Sequence, residues 1–410
     1  MTPLDRDTLR RIVHAEMPNL PTESHDASTG MPLTVVGFGP EEVLAALDCM
    51  LTTRVTMGAE VRAFEAEWAA WCGRSQGVMV NSGSSANLLM LEGLVEIGRL
   101  KRGDEVLVPA VGWSTTLFPI VQAGLVPVIV DVHPRSLCLD PVAARAAVTS
   151  RTKAVMPVHL LGQAADCDYD GLIVLEDACA AHGAMQGGRR IGSLGDAATF
   201  SFFFSHHITT VEGGIIVTDD PLLADAMRSL RAHGWVRERS DRAELIARNP
   251  DIDSRFLFVS AGYNLRPTDM AGAFGRVQLR RLDAWVARRR ANHAEWCAAL
   301  AGTPGVSVFP ELPGTGHAGF AFAMLVDGER RPLMQRLEAA GIETRPISGS
   351  NLVRQPAFQR LLEQGAEVRI PGPLVVADSV HERGFFVGNS HAFGPEHGRR
   401  LAEVVKAWSS

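Results

Sequence analysis

Three stretches of the 410-residue chain put reactive side chains at the ends of apolar runs. The first is Ser82-Gly83-Ser84-Ser85-Ala86-Asn87, between an apolar strand-like run and an apolar helix-like run. Backbone amides and hydroxyls converging at a helix amino end suit a phosphate; small residues around an ordinary N-cap look the same. The second is Asp177, at the end of Leu-Ile-Val-Leu-Glu-Asp. At the carboxyl end of a buried strand, where open α/β sheets gather ligand-contacting groups, a carboxylate can pair with a cationic ring, or simply cap the next segment. Glu176 beside it must face the other way. The third runs from Ser201 through Phe202, Phe203 and Phe204 to His206 and His207, then Ile-Thr-Thr-Val-Glu-Gly-Gly. Histidine suits proton transfer near neutral pH. Adjacent histidines lack the helical i,i+4 spacing of common zinc motifs and no cysteine lies near, so no metal site is expected. Two hydrogen-bonded loop histidines are the plainer alternative.

The elements that must hold these groups follow from hydrophobic period. Amphipathic helices are expected at about 41–51 and 59–72, the second stopped by Gly73, and a short strand at Gln76 to Val80. Short β-branched runs then recur between helical stretches: EVLVPA, VPVIVDV, KAVMPVHL, LIVLED, TFSFFF and GGIIVTD. Strands alternating with crossovers imply a mostly parallel α/β sheet. From Arg266-Pro267 a long helix begins, with Met270, Phe274, Leu282, Trp285, Trp296 and Leu300 near one stripe. GFAFAMLV, RRPLMQRLEAAG, IETRP, RGFFVGN and a last helix from about Pro395 read as a smaller α+β lobe, packed against the first because no Ser/Gly linker separates them.

A formal net charge of −6 gives no bulk attraction to nucleic acid or anionic membrane. The amino terminus mixes charges and lacks a continuous apolar core, so neither a signal peptide nor a membrane span is expected, and a cytoplasmic protein is the default. The six cysteines form no C-x-x-C pair and read as reduced. Of the 40 basic residues only Lys101, Lys153 and Lys406 are lysines.

Taken in order, VTMGAEVRAFEAEWAAW, VNSGSSANLLML, AVGWSTTLFPIVQAGLVPVIVDV, MPVHLLGQAADCD, VLEDACAAHGA, GDAATFSFFFSHHITTVEGGIIVTDD, LRAHGW, GYNLRPTDMAGAFGRVQL and RGFFVGNSH resemble the DegT-type nucleotide-sugar aminotransferase and dehydratase family, over residues 32–395. The resemblance implies fold type I of the pyridoxal-phosphate enzymes, the aspartate-aminotransferase-like fold. That fold has a large, mostly parallel seven-stranded sheet domain and a smaller α+β carboxyl-terminal domain. The expected division is an extension at 1–31, a cofactor-binding domain at 32–280 and a small domain at 281–410. By the same resemblance Gly83, Ser84 and Ser201 meet the cofactor phosphate, Trp113 stacks on the pyridine ring, and Asp177 pairs with the ring nitrogen. Asn264 comes from the neighbouring subunit, which implies a homodimer with shared sites. His233, Arg266 and other basic residues of LRAHGWVRERSDR are expected at the nucleotide diphosphate, since arginine forks match phosphate oxygens.

His206 stands where most of the family carries the Schiff-base lysine, and no other lysine is near in sequence. This is similar to the 4-keto-6-deoxysugar 3-dehydratases, in which pyridoxamine phosphate is held noncovalently and histidine moves the proton. His207 is expected to be structural. One dehydratase type carries closely spaced cysteines for an iron–sulfur cluster after the histidine segment; here only Cys297 follows it, so no cluster is expected. The expected reaction is therefore C3 deoxygenation of a nucleotide-linked 4-keto-6-deoxysugar, with L-glutamate regenerating the cofactor's amine. Epimerisation or another proton shift, and a non-catalytic lysine-less relative, are the alternatives.

Overall fold

The computed structural model describes residues 6–17, 30–35 and 37–409. The expected extension therefore lies partly outside the described residues, at 1–5 and 18–29. Its helix, Arg6–Glu16, buries no side chain.

The large sheet is built from β1 (Gln76–Val80), β2 (Glu105–Pro109), β3 (Val126–Val130), β4 (Thr152–Val155) and β5 (Ile173–Asp177). A small hairpin, β6 (Met185–Gln186) and β7 (Arg189–Arg190), precedes β8 (Ala197–Ser201) and β9 (Gly214–Thr218). Seven strands pair in the order β1-β9-β8-β5-β4-β2-β3. β9 is antiparallel to both neighbours and every other pair is parallel. Every residue of β2, β3, β8 and β9 is buried, as expected of strands covered on both faces, which explains their mostly apolar runs.

Two of the apolar runs stop early as strands. KAVMPVHL is a continuous strand only as far as Val155, makes an isolated bridge from Val158 to Asp177, and then turns through Leu161 at φ 51°. TFSFFF leaves the sheet after Ser201, because the Phe202 carbonyl accepts from the Thr210 amide at 3.0 Å and from Thr209 Oγ1 at 3.1 Å, closing a turn that contains both histidines.

The helix Asp269–Leu300 connects the two lobes: Leu282 and Val286 belong to the core beside β8 and β9, whereas Trp296 and Leu300 belong to the second core. That second core covers an antiparallel sheet of β10 (Val306–Val308), β12 (Ala321–Val326), β13 (Thr344–Pro346) and β14 (Gly384–Gly388), in the order β10-β12-β14-β13. The two-residue β11 (Thr315–Gly316) pairs with β6. Helices Pro356–Glu363 and Val375–Arg383 fill the stretch between β13 and β14; each is about two turns long and buries only Phe358, or Ala377 and Val380. Among the described residues no helix is long and apolar enough to cross a membrane.

Candidate active site

Two helix amino ends and the carboxyl ends of β5 and β8 converge into one cradle. Gly83 opens the helix Gly83–Glu96, capped by Ser82, whose Oγ accepts from the Ser85 amide at 3.1 Å. A Cβ at Gly83 would stand 2.5 Å from Ser201 Cβ and 3.0 Å from Cys179 Sγ, so only glycine lets this helix end approach β8. Ser84 Oγ lies 2.7 Å from Thr115 Oγ1, in the first turn of the helix Ser114–Gln122. Hydroxyls and free amides of two helix ends thus share a small volume suited to an anion. Trp113, the N-cap of the second helix, is 61% exposed.

Asp177 is buried at the end of β5. Its Oδ2 accepts from Asn87 Nδ2 at 3.0 Å and from Thr116 Oγ1 at 2.6 Å, and its Oδ1 from the Cys179 amide at 3.2 Å. Asn87 is itself fixed, donating to the Thr115 carbonyl at 3.0 Å and accepting from Thr199 Oγ1 at 2.6 Å. Among the described residues no arginine, lysine or histidine pairs with this carboxylate. Burying an anion without a counter-charge is costly, so the arrangement fits a ligand that brings its own cation, such as a protonated ring nitrogen. A pyridoxal-type cofactor meets these demands: phosphate at the helix ends, aromatic face at Trp113, ring nitrogen at Asp177.

Glu176 faces the other way, as strand alternation requires. It accepts from the amides of Gly192, Leu194 and Gly195, each at 2.8 Å, and from His159 Nε2 at 3.2 Å. Burial pushes its carboxyl up, yet the bonds from His159 and the glycine amides outweigh this and hold it below the usual carboxylate value. With Cys167, His159 and Glu176 form a trio whose ligating atoms lie within 4.8 Å. His159 Nδ1 accepts from the Ala165 amide at 2.9 Å, which leaves the ring proton on Nε2, donated to Glu176. Neither nitrogen then offers a metal a free lone pair.

His206 lies in the turn after β8, its ring centroid 5.3 Å from that of Phe320 and 6.0 Å from that of His182. The residue is half-buried and its Nδ1 is enclosed without a partner. Burial, reinforced by the Arg289 guanidinium, lowers its pKa to about 4, so the ring is neutral around pH 7 and can accept a proton. His207 points inward: its Nδ1 is 3.0 Å from His182 Nδ1 and its Nε2 is 3.1 Å from the Ala318 carbonyl. All three lysines are exposed, and Lys153 Nζ donates to the Ser150 carbonyl at 2.8 Å, away from the cradle.

The structure thus brings Gly83, Ser84, Asp177 and Ser201 together, with Trp113 and His206 on the segments that leave them. It sets Asn264 and Arg266 in an adjoining cleft of about 780 Å³, also lined by Arg62, Arg228, Trp235 and Arg237. There Arg266 Nε donates to Asn264 Oδ1 at 3.0 Å, and the Arg237 guanidinium lies 4.0 Å over the Trp235 ring. His233 is next to this cleft without lining it; at φ 68° its amide donates to the Tyr263 carbonyl at 2.6 Å. The Asn81 amide, donating to the Leu265 carbonyl at 3.0 Å, ties cleft to cradle. Sequence reasoning had Asn87 only as the last residue of the Ser82–Asn87 stretch, without its role, and missed Thr116 and Thr199; Asn87 and Thr116 bond to Asp177, and Thr199 to Asn87. Spacing held a signal: Asn87 follows Gly83 by one helical turn, and Thr199 precedes Ser201 by two on one strand face.

Comparison with known proteins gives the family and the fold. Residues 38–406 match the DegT/DnrJ/EryC1/StrS aminotransferase family. The GDP-4-keto-6-deoxy-D-mannose 3-dehydratase of Yersinia pseudotuberculosis is 34% identical over 388 residues, covering 92% of this chain and 98% of that one. The dTDP-4-dehydro-2,6-dideoxy-D-glucose 3-dehydratase of Saccharopolyspora spinosa is 37% identical, covering 85% and 80%. Among solved structures, the Escherichia coli GDP-4-keto-6-deoxy-D-mannose-3-dehydratase with bound hydrated PLP superposes with a TM-score of 0.86 at 34% identity, over 92% of this chain and all of that one. A second structure of a GDP-4-keto-6-deoxymannose-3-dehydratase, with a trapped PLP-glutamate geminal diamine, has a TM-score of 0.83 at 33% identity, over 92% and 100%. The fold is the aminotransferase-like α/β fold of these enzymes, and the chain belongs to the DegT/DnrJ/EryC1/StrS aminotransferase family.

Proposed function

We propose that this protein is a pyridoxamine/pyridoxal-phosphate-dependent nucleotide-sugar 3-dehydratase that removes the C3 oxygen of a 4-keto-6-deoxyhexose. The observation that carries the reading is His206, a neutral imidazole in the turn after β8, in a protein whose three lysines are all exposed and remote from the cradle. When bound, the cofactor supplies an amine for the sugar ketone and an electron sink. Gly83, Ser84 and Ser201 hold its phosphate, Trp113 covers the ring, and Asp177 keeps the ring nitrogen protonated. His206 moves the proton that accompanies loss of the 3-hydroxyl. The nucleotide occupies the arginine-lined cleft. Asn264 and Arg266 are exposed there and bond to each other rather than to the cradle, which supports a homodimer in which they serve the neighbouring subunit's site. We further assign residues 32–280 to the cofactor domain and 281–410 to the small domain, and place the protein in the cytoplasm, where its six unpaired cysteines stay reduced.

The test is product analysis. Glutamate and either a GDP- or a dTDP-linked 4-keto-6-deoxysugar should give a sugar lighter by one oxygen, with one 2-oxoglutarate and one ammonia per turnover. The balance is closed: glutamate is oxidised by two electrons, the C3 carbon is reduced by two, the 3-hydroxyl leaves as water, and one water supplies the oxygen gained in 2-oxoglutarate. A sugar that gains an amino group, or takes up solvent deuterium without losing its hydroxyl, overturns the reading.

A further inference from the structure

Three histidines lie in succession behind the cradle, and hydrogen-bond logic sets the proton positions of the inner two. The Ala318 carbonyl can only accept, so His207 Nε2, 3.1 Å away, must donate. A neutral His207 then has a bare Nδ1, and His182 Nδ1, 3.0 Å from it, must be the donor. This leaves the Nε2 of a neutral His182 bare. Both rings are almost fully buried, and burial together with neighbouring positive groups holds both far below the usual histidine value, so neither carries a second proton at neutral pH. The Ser201 carbonyl acts in the opposite direction on His182, and burial outweighs it.

The bare Nε2 of His182 is enclosed and has no partner, and so is Nδ1 of His206. Their rings are neighbours, with centroids 6.0 Å apart. The bonded His182 and His207 rings have centroids 5.0 Å apart with nitrogens at 3.0 Å, so the His182 and His206 centroids are about an ångström farther apart than those of a bonded pair in the same cluster. The charged and titratable groups facing His206 are Arg289, His182 and His207. None of them is a carboxylate of the kind that orients a catalytic histidine in other enzymes. Trp68, Phe200 and Phe202 pack around His182 and prevent it from turning away.

We propose that His182 is the positioning residue for His206: its Nε2 accepts the Nδ1 proton of His206, which leaves His206 Nε2 bare on the accessible side of the ring as the atom that takes the proton. An uncharged imidazole fixes the tautomer here without adding a negative charge beside an electron-rich cofactor. The inference rests on His206 being the base, so the tests separate the two claims. In protein labelled with ¹⁵N-histidine and free of cofactor, with the signal assigned through His206→Asn, the His206 nitrogens should report a protonated Nδ1 and a bare Nε2. A proton on Nε2 in the native protein overturns the proposal, whatever the variants do. His182→Asn keeps a donor for His207 and removes the acceptor; it should lower kcat by about tenfold or more, leave KM nearly unchanged, and move the His206 proton toward Nε2. His182→Gln, which restores a polar atom near the Nε2 position, should recover kcat to within about threefold. Unaltered kcat and tautomer in His182→Asn overturn the proposal while leaving His206 as the base. Turnover by His206→Asn overturns the base instead, and the nitrogen spectrum still decides the tautomer.

Discussion

Cradle and cleft adjoin through one backbone hydrogen bond, yet they are built on opposite principles. The cradle uses short side chains on rigid strand and helix ends, and its polar groups hold one another: Thr199 to Asn87, Asn87 and Thr116 to Asp177. Its charge, on Asp177, is buried and offset by neutral donors alone. The cleft uses long arginines near helix ends and in one loop, and Arg62, Arg237 and Arg266 are exposed and have no carboxylate partner among the described residues. A preorganised neutral network fixes the orientation of one ring and changes its electronics. Flexible cations supply affinity for phosphates and tolerate variation in what those phosphates carry. Chemistry and substrate choice are thereby carried by separable parts of the molecule.

The strongest way to break this contrast is Asp177→Asn. The carboxylate accepts three hydrogen bonds, and an amide must turn its NH2 toward Asn87 and Thr116 or toward the Cys179 amide. The ring nitrogen also loses its counter-charge, so kcat should fall by about a thousandfold or more. Isothermal titration with pyridoxal phosphate, run beside turnover, checks whether the loss exceeds any loss of affinity. A kcat within tenfold of the native value would mean that Asp177 is a structural cap after all.

Acid should have the next effect, through buried histidines behind the cradle and in the second lobe. Burial, aided by Arg289 at His206 and His391, puts His206, His293 and His391 at about 4, well below the ordinary 6.5 of the unfolded chain. Between those values the unfolded state binds more protons than the native one, so stability rises with pH. The histidine contribution is complete above about pH 6.5 and is lost as pH falls toward about 4, at no more than about 1.4 kcal/mol per pH unit for each buried group, and less for the half-buried His206. Urea midpoints at about pH 5 should therefore lie clearly below those at about pH 7.5. Equal midpoints would show that these rings are not neutral and enclosed.

How much of this was legible beforehand depended on how local the cause was. The strand from Gln76 to Val80 and the helix ending at Gly73 were readable because their apolar period and stop signal lie within a few residues. Glu176 and Asp177 were separable because strand alternation is purely local. The shared network of Asn87, Thr116 and Thr199 was not legible, because residues up to 112 apart in sequence meet only once the sheet is formed. The neutral state of His206 was hidden for the same reason: Arg289 and Phe320 approach it from another lobe. The change from lysine to histidine was visible only through resemblance, since a lone histidine carries no mark of the residue it replaces.

The smallest effect, and the sharpest test of the comparison, belongs to the cleft. Arg237 lies over Trp235 and is exposed, so Arg237→Ala should raise KM for the nucleotide sugar by about tenfold, or about 1.4 kcal/mol, with kcat nearly intact. Arg237→Lys should recover only part of this, because an ammonium keeps the charge but loses both the planar stacking and the two-pronged contact with phosphate. Salt should reproduce the phenotype in the native protein. Raising ionic strength from about 0.05 M to about 0.5 M shortens the screening length to a few ångströms and should raise KM several-fold. Pyridoxal phosphate affinity should change far less, because its cradle binds through buried neutral donors. If salt weakens both equally, the cradle draws its affinity from charges outside it. If Arg237→Ala lowers kcat instead of raising KM, the cleft takes part in the chemical step and the two regions cannot be separated.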